Sequence, residues 1–247
     1  PAPARRLGAA VSRIPTRFAP TAVGEWLFVS DFIRRRAEEA AGALPGAGVL
    51  HSGIDRSFVA AAPERPWAWR LLCVGRIDAR KGVDTAIDAL ARLPEEATLT
   101  VVGEGDEEHL AALRTRAAPF GDRVMFVGAR PRAELPAIFA KHDAVLFPVR
   151  WEEPWGLVPL EAMGTGRPVV ATAGGGSVEY LRDGENAIVA PADDAEAFAA
   201  AVRRLAGDPA ERARLRDGGS ITAREHTADR FEAGVVAALE RAAGRRG

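Results

Sequence analysis

The stretch Ala144-Val145-Leu146-Phe147-Pro148, followed by Trp151-Glu152-Glu153-Pro154-Trp155-Gly156-Leu157-Val158-Pro159-Leu160-Glu161, decides the fold. An apolar strand runs into an acidic loop broken by Pro and Gly, and the loop opens a helix. In an open α/β sheet, ligands bind where strands end in such loops. From Gly156 onward the chain presents unpaired N–H groups and the positive end of a helix, which suit a phosphate. Glu153 and Glu161 flank that point, and carboxylates there suit the hydroxyls of a sugar or a ribose. The outline is that of a sugar-nucleotide site.

The same alternation repeats on both sides of this stretch. Leu71–Val74, Leu99–Val102, Val124–Val127, Ala144–Phe147, Val169–Ala171 and Ala187–Val189 read as strands. Val83–Arg92, Glu107–Ala117, Arg132–Lys141 and Leu157–Gly164 read as helices between them, with a short helical turn at Ser177–Leu181. Strands alternating with helices of this length predict an α/β fold, a parallel sheet covered on both faces. Right-handed crossovers make it doubly wound and Rossmann-like. The chain then becomes helical only, with helices expected over Ala195–Leu205, Pro209–Asp217 and Ile221–Ala243. Gly207-Asp208-Pro209 supplies a stop and a proline for the next first turn. Before residue 66, a strand Trp26–Val29, a helix Asp31–Ala43 capped by Ser30, and a strand Val49-Leu50 form a partial βα segment. That unit is too small to bury a core of its own.

Composition narrows the function classes. The 247 residues are 47 % hydrophobic and 27 % charged, as in an ordinary soluble globular protein. A net charge of −1 gives no global field for nucleic acid or an acidic membrane. The single cysteine, Cys73, excludes an intrachain disulfide and a Cys-rich zinc site, and it lies in an apolar run as a buried strand residue does. No apolar run approaches the ~20 residues of a spanning helix, and no secretory signal opens the chain. These features predict a cytoplasmic protein, peripheral to the membrane if attached at all. Pro1 stands where an initiator Met would, so a processed or truncated product is expected. Residues 1–24 carry Arg5, Arg6, Arg13 and Arg17 without an acidic residue before Glu25 and read as a solvated or partner-facing segment.

Four further loops follow strands and precede helices, so all point into one crevice. In Val74-Gly75-Arg76-Ile77-Asp78-Ala79-Arg80-Lys81-Gly82, Gly75 permits close approach, and Arg76 and Lys81 sit where both reach one anion, a pair suited to a pyrophosphate. A solvated basic loop is the competing reading. The loop has neither the glycine spacing of a Walker loop nor a G-x-G-x-x-G fingerprint. Gly103-Glu104-Gly105-Asp106, Gly128-Ala129-Arg130-Pro131 and Gly174-Gly175-Gly176-Ser177 each read as a tight turn or as a ligand loop. The four histidines, His51, His109, His142 and His226, show no ligand spacing and read as surface or cap residues. Asp78, Arg80 and Glu179 lie near site loops, with a solvated role open for each. The Glu153–Glu161 pair invites a glycosidase reading, but a helix-borne second carboxylate beside cationic loops favours a transferase over a hydrolase.

The ordered set of motifs resembles the retaining glycosyltransferases of the GT-B fold in family four. The matching residues are Val74-Gly75-Arg76 with Lys81-Gly82-Val83, Val101-Val102-Gly103-Glu104-Gly105, Val124–Gly128, and Glu153-Pro154-Trp155-Gly156-Leu157-Val158-Pro159-Leu160-Glu161-Ala162-Met163 running into Gly166-Arg167-Pro168-Val169-Val170-Ala171-Thr172. Phe28-Val29-Ser30 and Ser52-Gly53-Ile54-Asp55 look like the last N-domain strand and the hinge of such enzymes. The resemblance implies a donor-binding C-terminal domain over residues 66–220. It implies a remnant of the N-terminal acceptor domain over 1–65, and a helix in 221–247 that crosses back to that domain.

The resemblance also implies roles. Arg76, Lys81 and Glu153 are the expected catalytic residues, the two cations neutralising the leaving diphosphate and Glu153 touching the transferred sugar. Glu161 would hold the ribose, and the backbone of Gly156, Leu157 and Val158 the phosphate. Gly75, Gly103 and Trp155 complete the expected donor contacts, with Arg130 placed near the base. No cofactor and no metal is implied, the substrate being a UDP-sugar or GDP-sugar and the acceptor a sugar, lipid or small molecule. About 150 residues of an ordinary domain would be missing ahead of the chain. The chain is therefore expected to bind the donor yet transfer poorly, with the absent domain or a second copy as packing partner. A non-catalytic nucleotide-sugar-binding module and a sugar-nucleotide 2-epimerase are the alternative readings.

Overall fold

A computed structural model describes residues 23–244 of the chain. The arginine-bearing segment 1–22 lies outside the described residues. Six strands form one parallel sheet: β3 (Arg70–Val74), β4 (Thr98–Val102), β5 (Val124–Phe126), β6 (Ala144–Phe147), β7 (Val169–Ala171) and β8 (Ile188–Val189), in the order β5-β4-β3-β6-β7-β8. The chain moves outward from β3 to β5, returns to β6 beside β3, and moves outward again to β8. The doubly wound reading therefore holds, and the strand order reverses between β3 and β6.

Two apolar cores cover the two faces because side chains alternate along each strand. Leu71, Cys73, Leu99, Val101, Ala144 and Leu146 point to one side. There they meet α2 (Val83–Leu90), α3 (Glu107–Ala117) and α6 (Ala195–Gly207) through Ile87, Leu90, Leu113, Phe198 and Val202. Leu72, Val102, Val145, Phe147 and Val169 point to the other side. These meet α4 (Leu135–Lys141) and α5 (Leu157–Gly164) through Phe139, Leu160 and Met163. A sheet buried on both faces needs strands without polar alternation, which is why each strand reads as a plain apolar run.

Before the sheet, β1 (Trp26–Phe28) and β2 (Ala47–Val49) pair in parallel around α1 (Asp31–Ala41). Ser30 caps α1 by accepting from the amide of Ile33, while its hydroxyl donates to Pro154 O at 2.6 Å. The small unit is thus tied to the acidic loop. Two elements begin differently from expectation: residues Arg132–Glu134 form a 3-10 turn ahead of α4, and Gly175–Glu179 form another.

The C-terminal helices correct the sequence reading. Instead of ending at Asp217, α7 runs over Pro209–Glu225, and α8 spans Ala228–Gly244. Gly218 and Gly219 look like helix breakers but serve close packing. A Cβ at Gly218 would lie 2.2 Å from Glu185 O, and one at Gly219 would lie 2.9 Å from Met163 Cγ. The break falls at His226-Thr227, where Ile54 N donates to His226 O at 2.9 Å and Ala228 N donates to Ile54 O at 2.8 Å. From there α8 lies against the first unit, with Gly234 beside Leu50 and Arg241 paired with Glu25.

Cys73 is buried, its thiol directed to Leu146 O at 3.5 Å. Burial pushes the thiol up to about 12, so at mildly alkaline pH only about one part in ten thousand is thiolate. Titration with a thiol reagent is expected to leave the native protein unlabelled and to label one thiol after denaturation; rapid native labelling would contradict the packing.

Candidate functional site

At the reversal point, the loop after β3 meets the loop after β6. Gly75 has φ +135° and donates its N–H to Val102 O at 3.0 Å. Gly82 has φ +64°, and a Cβ there would lie 2.0 Å from Pro148 O. Arg150 N completes the seam by donating to Arg80 O at 2.8 Å. Between these points Asp78 caps the 3-10 turn Ala79–Lys81 and receives Arg80 and Arg76. Its carboxyl is held down to about 2, mainly by the hydrogen bond from Arg80. Asp78 and Arg80 thus shape the loop.

Lys81 comes out of this loop into the acidic one. Its Nζ lies 2.6 Å from Glu153 Oε2, the two side chains being 20 % and 12 % exposed. Trp151 donates its indole N–H to the same oxygen at 2.8 Å, and Lys81 Nζ stands 5.4 Å over the Trp151 ring. A cation and a carboxylate this sheltered interact more strongly than a surface pair. Arg76 points elsewhere: its side chain is largely exposed and its Nε holds Asp78 at 2.9 Å. Arg76 and Lys81 nevertheless line one small cavity of about 20 Å³ with Gly75, Phe147 and Pro148.

The acidic loop is fixed from several directions. Pro154 O accepts from Ser30, Glu153 O accepts from the amide of Gly176 at 2.7 Å, and Gly156 O accepts from the Tyr180 hydroxyl at 2.5 Å. Tyr180 is fully buried, and burial, then Glu153 and Glu161, push its phenol well above the ordinary range. It therefore stays a neutral donor. Gly156, at φ +84°, leads into α5 with no side-chain cap, so the helix N-terminus opens onto the loop. Glu161 lies on that helix, 4 % exposed, 2.9 Å from Arg132 Nη1. Burial raises its carboxyl and Arg132 opposes that rise.

Beside these groups lies an open groove of about 410 Å³ lined by Val74, Gly75, Val102, Gly103, Leu135 and others, with Arg76, Glu104 and Arg130 among its polar residues. Its size is that of a small-molecule site. Gly75, Gly103, Arg76 and Arg130 thus share one wall system, while Lys81, Glu153 and Gly156 cluster at the reversal point. Among the described residues no group of three His, Cys, Asp or Glu side chains gathers as a metal site would.

Several side chains stand apart from the sequence reading. Trp155, expected among donor contacts, is buried behind the loop, donating to Ser52 O at 2.9 Å and stacked on His51 at 4.1 Å. Its ring packs the hinge. His51 and His226 belong to that aromatic cluster, and burial lowers His226. Glu179 accepts from the amides of Asp31 and Phe32 and pairs with His51, tying the first unit to the loop after β7. Arg132 and Trp151 carry no signal of their own in the sequence, although both sit within two residues of candidate site residues.

The family described as glycosyl transferases group 1 matches residues 60–220. The glycogen synthase of Mycobacterium tuberculosis is 36 % identical over 167 residues, covering 66 % of this chain and 40 % of that protein. A GDP-mannose-dependent alpha-(1-6)-phosphatidylinositol monomannoside mannosyltransferase of Mycolicibacterium smegmatis is 34 % identical over 206 residues, covering 74 % of this chain and 53 % of that one. The chain thus spans about half the length of these relatives. Anabaena HepE, solved in complex with UDP and glucose, shares the fold with a TM-score of 0.80 at 23 % identity, over 88 % of this chain and 63 % of that one.

Proposed function

The chain belongs to the group 1 glycosyltransferases, and on that premise we propose that it is the donor-binding portion of an enzyme moving a sugar from a nucleotide diphosphate sugar to an acceptor. The observation that carries the reading is the meeting of Lys81, Glu153 and the open N-terminus of α5 at the strand-order reversal, with Glu161 one helical turn beyond. Residues 66–220 form the donor unit. Residues 1–65 and 221–247 belong with the acceptor side.

As the anomeric C–O bond breaks, its electron pair leaves on the diphosphate. Arg76, Lys81 and the α5 amides of Gly156, Leu157 and Val158 stabilise that charge, so no metal is needed. Glu153 holds hydroxyls of the sugar and Glu161 those of the ribose, and transfer proceeds with retention. Gly75, Gly103 and Arg130 border the base, and Trp155 contributes through its backbone. The donor is a UDP-sugar or GDP-sugar, in keeping with a UDP complex and a GDP-mannose-dependent enzyme among similar proteins. The acceptor is bound by residues beyond this donor unit, so the chain alone binds donor and turns it over slowly. Its place is the cytoplasm or the membrane periphery; no described helix is long and apolar enough to cross a membrane.

Calorimetric titration of UDP, GDP and ADP tests the reading. Binding of at least one is expected, and Glu161→Ala is expected to weaken it roughly 10- to 100-fold, the loss of hydrogen bonds to a charged acceptor. If the wild-type protein binds none of the three, the donor reading fails. Unchanged affinity in Glu161→Ala would remove Glu161 from the ribose.

A further inference from the structure

Among the described residues, the Glu161 carboxylate takes its only side-chain hydrogen bond from Arg132, through Oε1. The Arg132 guanidinium is 53 % exposed yet lies 5.0 Å over the ring of Phe58, which is fully buried. The ring restricts the guanidinium by a cation–π contact, and the guanidinium restricts one carboxylate oxygen. Oε2 is left without a hydrogen-bond partner among the described residues. Such an arrangement orients an acceptor before any ligand arrives. Resting on the donor-site reading, we propose that Arg132 is a positioning residue for the nucleotide, holding Glu161 ionised and turned so that its second oxygen accepts the ribose hydroxyls.

The charges around Glu161 support this. Arg132 faces it from the segment after β5, and Asp55, from the hinge segment, faces Arg132. Tyr180 feels the charges of both Glu153 and Glu161 and stays neutral. Burial raises the Glu161 carboxyl and Arg132 alone opposes it. Removing the guanidinium leaves burial unopposed, so Glu161 takes its proton at a higher pH. A protonated carboxyl loses the charge-assisted bonds, which are about twice as strong as neutral ones. The affinity lost is therefore small in alkali and grows as pH falls.

Wild type, Arg132→Met and Arg132→Lys are compared in titrations with UDP, GDP and ADP at about pH 8 and about pH 5.5, one mildly alkaline and one acidic condition. The nucleotide phosphate titrates in the same window, so the readout is the variant-to-wild-type ratio of Kd. For Arg132→Met the ratio is expected to grow several-fold on acidification, because burial then raises the Glu161 carboxyl unopposed. Arg132→Lys keeps the charge and should hold the ratio nearly constant, which a purely structural role would not predict. A ratio for Arg132→Met that does not change with pH overturns the proposal. If no nucleotide binds the wild type, the donor reading fails separately. A carbon-13 titration of the Glu161 carboxyl in the ligand-free proteins then decides, and an unmoved midpoint in Arg132→Met overturns the coupling.

Discussion

Lys81→Ala is expected to weaken nucleotide diphosphate binding by about 10²- to 10³-fold, the range for removing one partner of a sheltered charge pair. Two effects act together. The ligand loses a compact cation at the diphosphate, and Glu153, only 12 % exposed, loses the ammonium 2.6 Å from its Oε2. What remains beside Glu153 is the Trp151 indole N–H, a neutral donor. The uncompensated carboxylate then repels the phosphates. Two comparisons separate the parts. A nucleoside without phosphates should bind both proteins nearly equally, because the charge is felt at the phosphates. Adding Glu153→Gln to Lys81→Ala should recover part of the affinity by removing the orphaned charge, a coupling that a double-mutant cycle reads directly. A Lys81→Ala affinity within about threefold of wild type would detach Lys81 from the diphosphate, since a lost hydrogen bond to a charged group alone costs more than that.

The sheet was legible because its strands are buried on both faces, which leaves plain apolar runs such as Leu71–Val74 and Ala144–Phe147. The crevice was legible from topology, since the glycine loops follow strand ends. Side-chain direction was not. Trp155 sits inside the acidic loop, and nothing in its neighbours tells that its ring turns back onto His51. Arg132 reaches Glu161 across 29 positions, a contact that only the closing of the sheet creates. The helix expected over Pro209–Asp217 fell short for a related reason: the glycine pair that follows, Gly218-Gly219, is compatible with either a helix end or a close approach, and the Glu185 carbonyl and Met163 that demand the second are remote in sequence. Local chemistry therefore placed the loops, while long-range packing chose which side chains fill them.

Gly103→Ala is expected to damage the fold itself. Gly103 has φ +149°, and a Cβ there would stand 1.8 Å from Gly75 O and 2.9 Å from Gly75 C. The obstructing atoms are backbone, so no rotamer change relieves the clash. Nor is the neighbour free to retreat. Gly75 donates to Val102 O at 3.0 Å, and Ile77 donates to Glu104 O at 2.7 Å two residues on. Gly105 repeats the constraint, since a Cβ there would lie 1.9 Å from Ile77 O. The loops after β3 and β4 are thus zipped backbone to backbone, and prising them apart breaks those hydrogen bonds. Strain and lost bonds together should cost on the order of 3–5 kcal/mol, a large share of the ~5–15 kcal/mol that holds a domain. Calorimetric melting should show Tm lowered by roughly 10 °C. Gly207→Ala is the control: a methyl there would meet nothing within 4 Å, and the residue ends α6, so little change or a small gain is expected. Any Gly103→Ala protein that survives should bind nucleotide poorly, because the same seam carries Gly75, Arg76 and Gly103 into the groove. A melt unchanged from wild type would show that the two loops can part without cost, and the groove would then have no fixed wall.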